Sequence, residues 1–370
     1  MKEIARFHEA VNQPWETAGR IRQTGQKIIG YLCSYAPEEL IHAAGCHPLR
    51  LFSSGHDILL AENHLQSYCC SLVRGVLEDS LAGRLDFLDG TVFPHTCDSM
   101  QRLSDIWRIN RKHGFFADLV LPVKLTTPGS AVYLEAVLSR FKADLEAALG
   151  TSITDADLEN SISLFNQIRT HLSAIHEFRV RYPGRIRGSD MNALVKGAMI
   201  MVREDAATLL SGMVVSLQQL PVPDLPAKRL VLAGSVCDSP DLFDAIEAAG
   251  GTVVGDDLCT GQRWFDSLVS EDRPPLAALA DRYRTRATCP AKHAGLTSRA
   301  DHLLSLVDRT RADGVIFPML KFCDPHAFDH PYLKECLEAR GIRSMALEID
   351  DSRQNQGQLA TRIETFIQML

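Results

Sequence analysis

Short apolar runs alternate with helical patterns in two separate parts of this 370-residue chain. Runs that are apolar throughout, end in turn residues and are separated by helices are typical of parallel strands buried on both faces. Helical patterns at 37–45 and 65–83 separate the runs of the first set. The alternation predicts an α/β fold of two similar, doubly wound parallel-sheet domains with about four strands each. The runs lie at 27–32, 49–54, 90–94, 116–122, 229–235, 251–257, 313–319 and 342–350.

The stretch between the two sets has a different pattern. Residues 129–220 form long helical patterns with few β-branched runs, which predicts a helical middle segment. Thr154 and Asp157 have the spacing of a capping box at a helix start. The proline-rich stretch 220–228 predicts a linker. We therefore expect a first α/β domain with an N-terminal helix at 1–125, a helical segment at 126–222 and a second α/β domain at 223–370.

The two halves resemble each other in detail. The sequence CSYAPEELIHAAG at 33–45 parallels CDSPDLFDAIEAAG at 237–250, and DGTVFPHTCD at 89–98 parallels DGVIFPMLKFCD at 313–324. Chance could produce one such match. Two matches in the same order indicate an internal duplication of one α/β domain.

Ten cysteines are the one unusual number in a composition that is otherwise average, with 45% hydrophobic and 23% charged residues. The net charge of -7 argues against a nucleic-acid partner. The first residues lack an apolar signal segment, and no window approaches the roughly 18 apolar residues of a membrane span. We therefore expect a cytoplasmic protein without membrane contact. Its thiols would be packing residues, nucleophiles or metal ligands.

Six cysteines stand where an α/β sheet collects functional groups, at or near the carboxyl ends of its strands. Cys70 begins a predicted helix, whose dipole favours a thiolate, and Cys289 precedes a proline that leaves it in a loop. The other four follow the first, third, sixth and seventh predicted strands: Cys33, Cys97, Cys259 and Cys323. We expect the remaining cysteines to pack in the interior: Cys46, Cys69, Cys237 and Cys336.

Missing motifs narrow the chemistry of these thiols. The chain has no CxxC, which disfavours a thioredoxin-like dithiol, a zinc ribbon and the short ferredoxin run. It has no Gly-Lys dipeptide and hence no P-loop, and neither GxSxG nor GxGxxG occurs. Several soft thiolates in one crevice suit iron–sulfur or zinc ligation.

Histidines and carboxylates offer alternatives. His95, His326 and His330 lie near cysteines and could complete a zinc site, although a lone histidine is more often a hydrogen-bonded loop residue. No spacing assigns a general acid or base among His95, His326 and Glu38. Acidic residues at strand ends could face a substrate, although such residues more often cap helices or turns. These residues are Asp256, Asp257, Glu348, Asp350 and Asp351.

Five segments together resemble the 2-hydroxyacyl-CoA dehydratase and benzoyl-CoA reductase family, of the D-component type, from about residue 25 to the end. They are CSYAPEELIHAAGCHPLRL, FPHTCDSMQRLSDIW, GDDLCTGQRWF, FCDPHAFDHPYLKECLEARGI and GQLATRIETFIQML. The resemblance implies two flavodoxin-like domains that hold an oxygen-sensitive iron–sulfur cluster, reduced by an ATP-dependent activator protein. In the dehydratases one electron makes a ketyl radical of a 2-hydroxyacyl-CoA, and an enoyl-CoA follows; in the reductases electrons enter an aromatic thioester.

The resemblance also implies a ligand set. The acyl-CoA branches use three cysteines, matched here by Cys33, Cys97 and Cys323, for a [4Fe-4S] cluster. The further cysteines Cys70, Cys259 and Cys289 make the chain similar to the double-cubane [8Fe-9S] branch, whose homodimers reduce small molecules. Six ligands would then divide three and three between the halves. The alternatives are a dehydratase subunit that pairs with a homologous subunit, an electron-storage protein and a zinc protein.

An all-thiolate cluster buried between two domains would have a low potential, because burial disfavours the added negative charge of the reduced state. Electrons would therefore need an external energy source. An ATP-driven partner would supply this energy, and we expect one on these physical grounds without reference to the family.

Overall fold

Two four-stranded, all-parallel sheets form the framework of the protein, for which the computed structural model describes residues 2–111, 114–219, 227–236, 240–349 and 356–370. The strand orders are β2-β1-β3-β4 and β6-β5-β7-β8, so the second sheet repeats the topology of the first. The predicted α/β fold is confirmed, and the repeated order agrees with a duplication. The strands are β1 (Ile28–Tyr31), β2 (His47–Arg50), β3 (Gly90–Pro94), β4 (Phe115–Leu119), β5 (Lys228–Ala233), β6 (Gly251–Asp257), β7 (Gly314–Leu320) and β8 (Arg343–Ile349).

Helices cover both faces of each sheet and fill the middle of the chain. The helices before and within the first sheet are α1 (Lys2–Asn12), α2 (Pro14–Gln23), α3 (Glu38–Ala43), α4 (Ser71–Leu81) and α5 (Asp98–Asn110). The middle helices are α6 (Ser130–Leu149), α7 (Asp155–Arg181), α8 (Gly188–Ile200) and α9 (Arg203–Gln218). Those of the second sheet are α10 (Pro240–Ala248), α11 (Gln262–Phe265), α12 (Pro275–Thr285), α13 (Ser298–Thr310), α14 (Asp324–Ala339) and α15 (Gln356–Gln368). Across the described ranges, no helix has both the length and the apolar character that a bilayer span requires.

Among the boundaries that differ from the sequence prediction, two have a clear physical reason. The run at 49–54 forms a strand only up to Arg50, because its partner β1 ends at Tyr31, which pairs with Arg50. The helix expected over 65–83 begins at Ser71, because Cys70 has the extended backbone of an N-cap residue, with φ -61° and ψ 153°. The prediction that Cys70 begins this helix is confirmed.

The long middle helix α7 connects the two sheets. The predicted capping box is present at its start, where Thr154 accepts from the backbone N–H of Asp157 at 3.1 Å and the Asp157 carboxylate accepts from that of Thr154 at 2.9 Å. Further along, buried Arg169 pairs with Glu39 of α3 in the first half. Arg179 lies 3.4 Å from Asp256 at the end of β6 in the second half. One helix therefore holds both halves through buried ion pairs.

Candidate metal centre

The strand order changes side at the centre of each sheet, and thiols gather at the carboxyl ends of the strands. In the first sheet β1 and β3 connect onward to opposite sides, so a crevice opens between their carboxyl ends. Cys33 follows β1 and Cys97 follows β3, while Cys259 follows β6 and Cys323 follows β7 in the second sheet. The strand-end positions expected of these four cysteines are confirmed.

Three of the thiols occupy the same place in three different helices. Cys70, Cys97 and Cys323 are the N-cap residues of α4, α5 and α14. Burial raises the pKa of each thiol, and a backbone N–H three residues later acts to lower it, without the geometry of a full cap hydrogen bond. These N–H groups belong to Val73, Met100 and His326. Unpaired N–H groups and the helix dipole together favour negative charge at these sulfurs.

These three N-cap thiols line one wide cavity of about 470 Å³. Its wall includes Phe322 and Phe328, and Phe328 is 84% exposed, so the cavity is accessible from solvent. Phe322 has a φ of 63°, in the left-handed region that costs a bulky side chain energy. This strained residue immediately precedes Cys323 and fixes the turn from β7 into α14.

The other three thiols, Cys33, Cys259 and Cys289, line a second, narrow cavity. Its free space is about 20 Å³, enough for one or two water molecules. Cys33 has a φ of 57°, and its sulfur accepts a hydrogen bond from Thr96 Oγ1 at 3.1 Å. Cys259 and Cys289 are hydrogen-bonded to each other through their side chains.

The two sets of thiols influence one another and form a single electrostatic group. Burial raises the pKa of Cys97 to about 12, and the neighbouring Cys33 adds to this rise. Burial also raises the pKa of Cys323 to about 12, with Cys259 and Cys97 adding to it. Burial raises the pKa of Cys70 well above its usual range, with a contribution from Cys323. Such thiols ionise readily only when a metal supplies positive charge, so the group favours metal ligation over free thiolate chemistry.

Cys259 behaves differently from the other thiols. A hydrogen bond from Cys289 holds the pKa of Cys259 well below its usual range, and Arg263 contributes although burial opposes it. Arg263 is itself held in place, because it donates to the Asp257 carbonyl at 2.7 Å and lies 3.0 Å from the Asp257 carboxylate. A fixed guanidinium therefore stabilises negative charge on this sulfur.

Two further cations lie near Cys33. Arg50, only 2% exposed, stands 5.6 Å from the ring centroid of Tyr31 and has no hydrogen bond or ion pair with any described residue. The ammonium of Lys292 donates to the carbonyls of His95 and Leu121 at 3.3 and 3.2 Å. Both cations act on Cys33, so the thiol crevice is an electropositive site.

The histidines considered as zinc ligands each contact a different group. His326 is buried beside Cys259, and burial lowers its pKa. His95 is hydrogen-bonded to Asp118 at 2.9 Å, and His330 packs against Phe317 with ring centroids 4.7 Å apart. The three histidines therefore have different partners.

Two of the acidic candidates have structural partners. Asp256 caps α11, accepting from the backbone N–H of Gln262 at 2.7 Å. Burial acts to raise the pKa of Asp257, but Arg263 and Arg299 outweigh it and hold that pKa well below its usual range. Glu348 is exposed on β8. The two remaining candidates, Asp350 and Asp351, lie outside the described residues.

The cysteines expected to pack are largely interior. Cys46 and Cys69 are 2% and 1% exposed within the two large apolar clusters around the first sheet. Cys336 is partly buried on α14. Cys237 lies outside the described residues.

The cavities divide the six thiols differently from the expected division by halves. Each cavity takes thiols from both halves, because the N-cap thiol Cys323 joins the first-half Cys70 and Cys97, and the first-half Cys33 joins Cys259 and Cys289. The cavities group thiols across the halves because the crevice lies between the sheets, while the ligand set itself stays a prediction. Within the described residues, no three Cys, His, Asp or Glu side chains are arranged to hold a single metal ion.

The sequence reasoning missed the arginines of this crevice. Arg50 interrupts the apolar run 49–54, and a charge inside a buried strand was a usable signal for a functional position. Arg263 lies within the segment GDDLCTGQRWF, close to Cys259. Arg286 lies in the wall of the narrow cavity. Its sequence position did not indicate this, because it directly follows the ordinary amphipathic helix α12.

The fold and site together define a class of protein: a two-sheet α/β protein whose strand ends direct cysteines from both halves into one crevice. The chain belongs to the family described as 2-hydroxyglutaryl-CoA dehydratase, D-component, whose model matches residues 33–370.

Three relatives illustrate the range of this family. The chain is 28% identical over 350 residues to the (R)-phenyllactyl-CoA dehydratase beta subunit of Clostridium sporogenes, covering 95% of this chain and 93% of that protein. It is 28% identical over 316 residues to a benzoyl-CoA reductase subunit of Thauera aromatica, with 84% and 82% covered. It is 24% identical over 373 residues to the (R)-2-hydroxyglutaryl-CoA dehydratase beta subunit of Acidaminococcus fermentans, with 99% and 98% covered. The expected family is confirmed.

Proposed function

We propose that this chain is an iron–sulfur protein that passes low-potential electrons to a substrate. The observation that carries the proposal is the group of six thiols, three in each of two cavities, with each cavity drawing on both halves. Relatives named as dehydratase and reductase subunits support a redox or lyase enzyme over a packing role for these cysteines.

The residues present fit an iron–sulfur cluster. Soft thiolates are its usual ligands, and the three N-cap thiols have backbone N–H donors that stabilise thiolate charge. A cluster is held at its corners, so its ligands stand farther apart than those of one metal ion. The unpaired guanidinium of Arg50 supplies the positive charge that an anionic cluster requires.

We infer two groups of ligands from the cavities. Cys70, Cys97 and Cys323 would hold one cubane at the wide cavity. Cys33, Cys259 and Cys289 would hold the other at the narrow cavity, which gives the double-cubane [8Fe-9S] form. A single [4Fe-4S] cluster would need only three of these thiols.

The protein side chains around such a cluster would set its charge and its access to solvent. Thr96 donates to Cys33, and Arg263 stabilises charge on Cys259. When bound, the cluster would supply electrons of low potential, because burial disfavours the added charge of reduction. An ATP-dependent activator protein is therefore the expected electron donor.

A double cubane would favour a small molecule as substrate, because the branch that the six cysteines resemble reduces small molecules. The active form would then be a homodimer of the double-cubane type.

The second candidate is a 2-hydroxyacyl-CoA dehydratase subunit that forms an enoyl-CoA. The names of the Clostridium and Acidaminococcus relatives, which align over almost the whole chain, favour it. The wide cavity of about 470 Å³ has room for an acyl group. In this case the chain would pair with a homologous subunit.

Anaerobic purification followed by metal and acid-labile sulfide analysis tests the proposal. We expect roughly eight irons per chain for the double cubane and roughly four for a single cubane. Enoyl-CoA formation from 2-hydroxyacyl-CoA by the reduced protein would select the dehydratase, whereas reduction of small molecules would select the double-cubane reductase. A chain with about one zinc and no iron would contradict the proposal, and an iron protein that cycles without turnover would be an electron store.

A further inference from the structure

Each sheet has two central strands, and the residues that follow them lie side by side at its carboxyl edge. In the first sheet β1 and β3 are the central pair, followed by Cys33 and by Thr96 with Cys97. In the second sheet β5 and β7 are the central pair, followed by Ser235 and by Cys323. Each half therefore brings a hydroxyl from one central strand beside a thiol from the other.

The hydroxyl of the first half is bonded to a thiol. Thr96 is 7% exposed, and its Oγ1 donates to the sulfur of Cys33 at 3.1 Å. The same hydroxyl acts on the adjacent Cys97, which lines the wide cavity, whereas Cys33 lines the narrow one. Thr96 therefore stands between two thiols that belong to different cavities.

The hydroxyl of the second half has a corresponding place. Ser235 is 5% exposed, and its backbone carbonyl accepts from the N–H of Cys259 at 3.0 Å. Its hydroxyl acts on the sulfur of Cys323 without the geometry of a full hydrogen bond, and within the described residues its Oγ has no hydrogen-bond partner. Cys259 lines the narrow cavity and Cys323 lines the wide one. Ser235 therefore also stands between thiols of the two cavities.

Both hydroxyls suit a charged sulfur better than a neutral thiol. A buried hydroxyl is costly when no good acceptor takes its proton, and a neutral thiol is a weak acceptor. A hydrogen bond to a negatively charged acceptor is roughly twice as strong as one between neutral groups. Neither Thr96 nor Ser235 lines the free space of a cavity, so a bound cluster would leave both hydroxyls in place beside its sulfur ligands.

We propose that Thr96 and Ser235 donate hydrogen bonds to sulfur atoms of the proposed iron–sulfur centre, one from each half, and raise its reduction potential. A centre that accepts one electron from its donor gains one negative charge, which its sulfur atoms share. A hydrogen bond to sulfur therefore stabilises the reduced form more than the oxidised form. The inference deepens the proposed function, on which it rests for the presence of the centre.

A potentiometric titration of the anaerobically purified full chain, followed by visible absorbance, measures the potential. The absorbance comes only from chains that hold the centre, so a variant that loads less iron still reports its potential. Thr96→Val removes one hydroxyl and keeps the branched shape, and Ser235→Ala removes only the other oxygen. We expect each variant to be roughly three- to tenfold less reduced at a given potential. A tenfold change corresponds to a fall of about 59 mV for one electron.

Thr91→Val is the matched control for the same substitution. Thr91 is 4% exposed and belongs to the same strand, β3, but it lies near the start, where it pairs with Gly30. The control should keep the potential of the unaltered chain. Thr96→Ser, which retains a hydroxyl, should recover most of the potential that Thr96→Val loses. An unchanged potential in either Thr96→Val or Ser235→Ala overturns the proposal, and so does an equal fall in Thr91→Val.

Iron content in the same samples separates this inference from the proposed function. Iron in the unaltered chain, with one potential shared by all variants, rejects the role of the two hydroxyls and leaves the proposed function. An unaltered chain without iron rejects the proposed function, and the inference falls with it.

Discussion

The indole N–H of Trp264 donates to the Glu38 carboxylate at 2.7 Å. Trp264 belongs to α11, beyond β6 of the second sheet, and Glu38 begins α3, beyond β1 of the first. Arg203 at the start of α9 binds the same carboxylate at 3.1 Å. One buried carboxylate thus joins both sheets and the helical middle at the wall of the narrow cavity.

Replacing Trp264 by Phe should lower the free energy of unfolding by at least about 1.5 to 3 kcal/mol, because it removes one donor to a buried carboxylate. The smaller aromatic ring adds a packing loss, which the control below shares. Urea denaturation measures the change. Trp15→Phe is the matched control, since the N–H of Trp15 has no partner among the described residues. Equal losses in the two variants would show that the indole hydrogen bond contributes nothing.

Removing one charge from the buried pair of Arg169 and Glu39 should strongly destabilise the fold. Glu39→Gln removes the charge that compensates a guanidinium on α7, with both side chains no more than 6% exposed, and should cost about 3 to 5 kcal/mol. Asp244→Asn is the control, because Asp244 pairs at 2.7 Å with Arg187 on the exposed surface. The control should cost less than about 1 kcal/mol. A loss in Glu39→Gln no larger than in the control would contradict the bracing role of α7.

Two buried histidines should make the fold sensitive to acid. Burial lowers the pKa of His47 to about 3, with Arg203 adding to the effect, and burial likewise lowers the pKa of His176 to about 3. Between about pH 6.5 and 3 the unfolded chain binds protons that the folded chain does not. The free energy of unfolding should therefore fall with falling pH by about 1.4 kcal/mol per pH unit for each histidine.

His47→Gln should remove one histidine's share of this slope, while the glutamine amide can still donate to the Ile200 carbonyl that His47 contacts at 2.8 Å. His64→Gln, at an exposed position, is the control. Unfolding curves at several pH values between 6 and 4 measure the slopes. Identical slopes in His47→Gln and the unaltered chain would contradict the prediction.

The sequence predicted the two sheets because strands buried on both faces are apolar throughout, as in β1 and β3. It also placed Cys70 at a helix start, although the helical pattern extends back to residue 65 and the helix itself begins at Ser71. It misjudged β2 beyond Arg50, since the length of a strand depends on its partner and not only on its own apolar residues.

The arrangement of the thiols was only partly predictable. Strand-end positions placed Cys97 and Cys323 at the carboxyl edges of the two sheets, where functional groups collect. The division into two cavities depends on how the two sheets face each other, which no local pattern encodes. No local pattern predicts the position of Arg286 either, because it stacks on Tyr35 from the other half of the chain.

Iron and sulfide contents of matched cysteine variants show whether the thiols of both cavities hold iron. Cys97→Ser removes a thiol of the wide cavity, Cys289→Ser removes one of the narrow cavity, and Cys46→Ser changes a buried cysteine outside both. We expect the first two variants to lose roughly half or more of their iron and Cys46→Ser to retain the full amount. Full iron content in both Cys97→Ser and Cys289→Ser would contradict an iron–sulfur centre at these thiols.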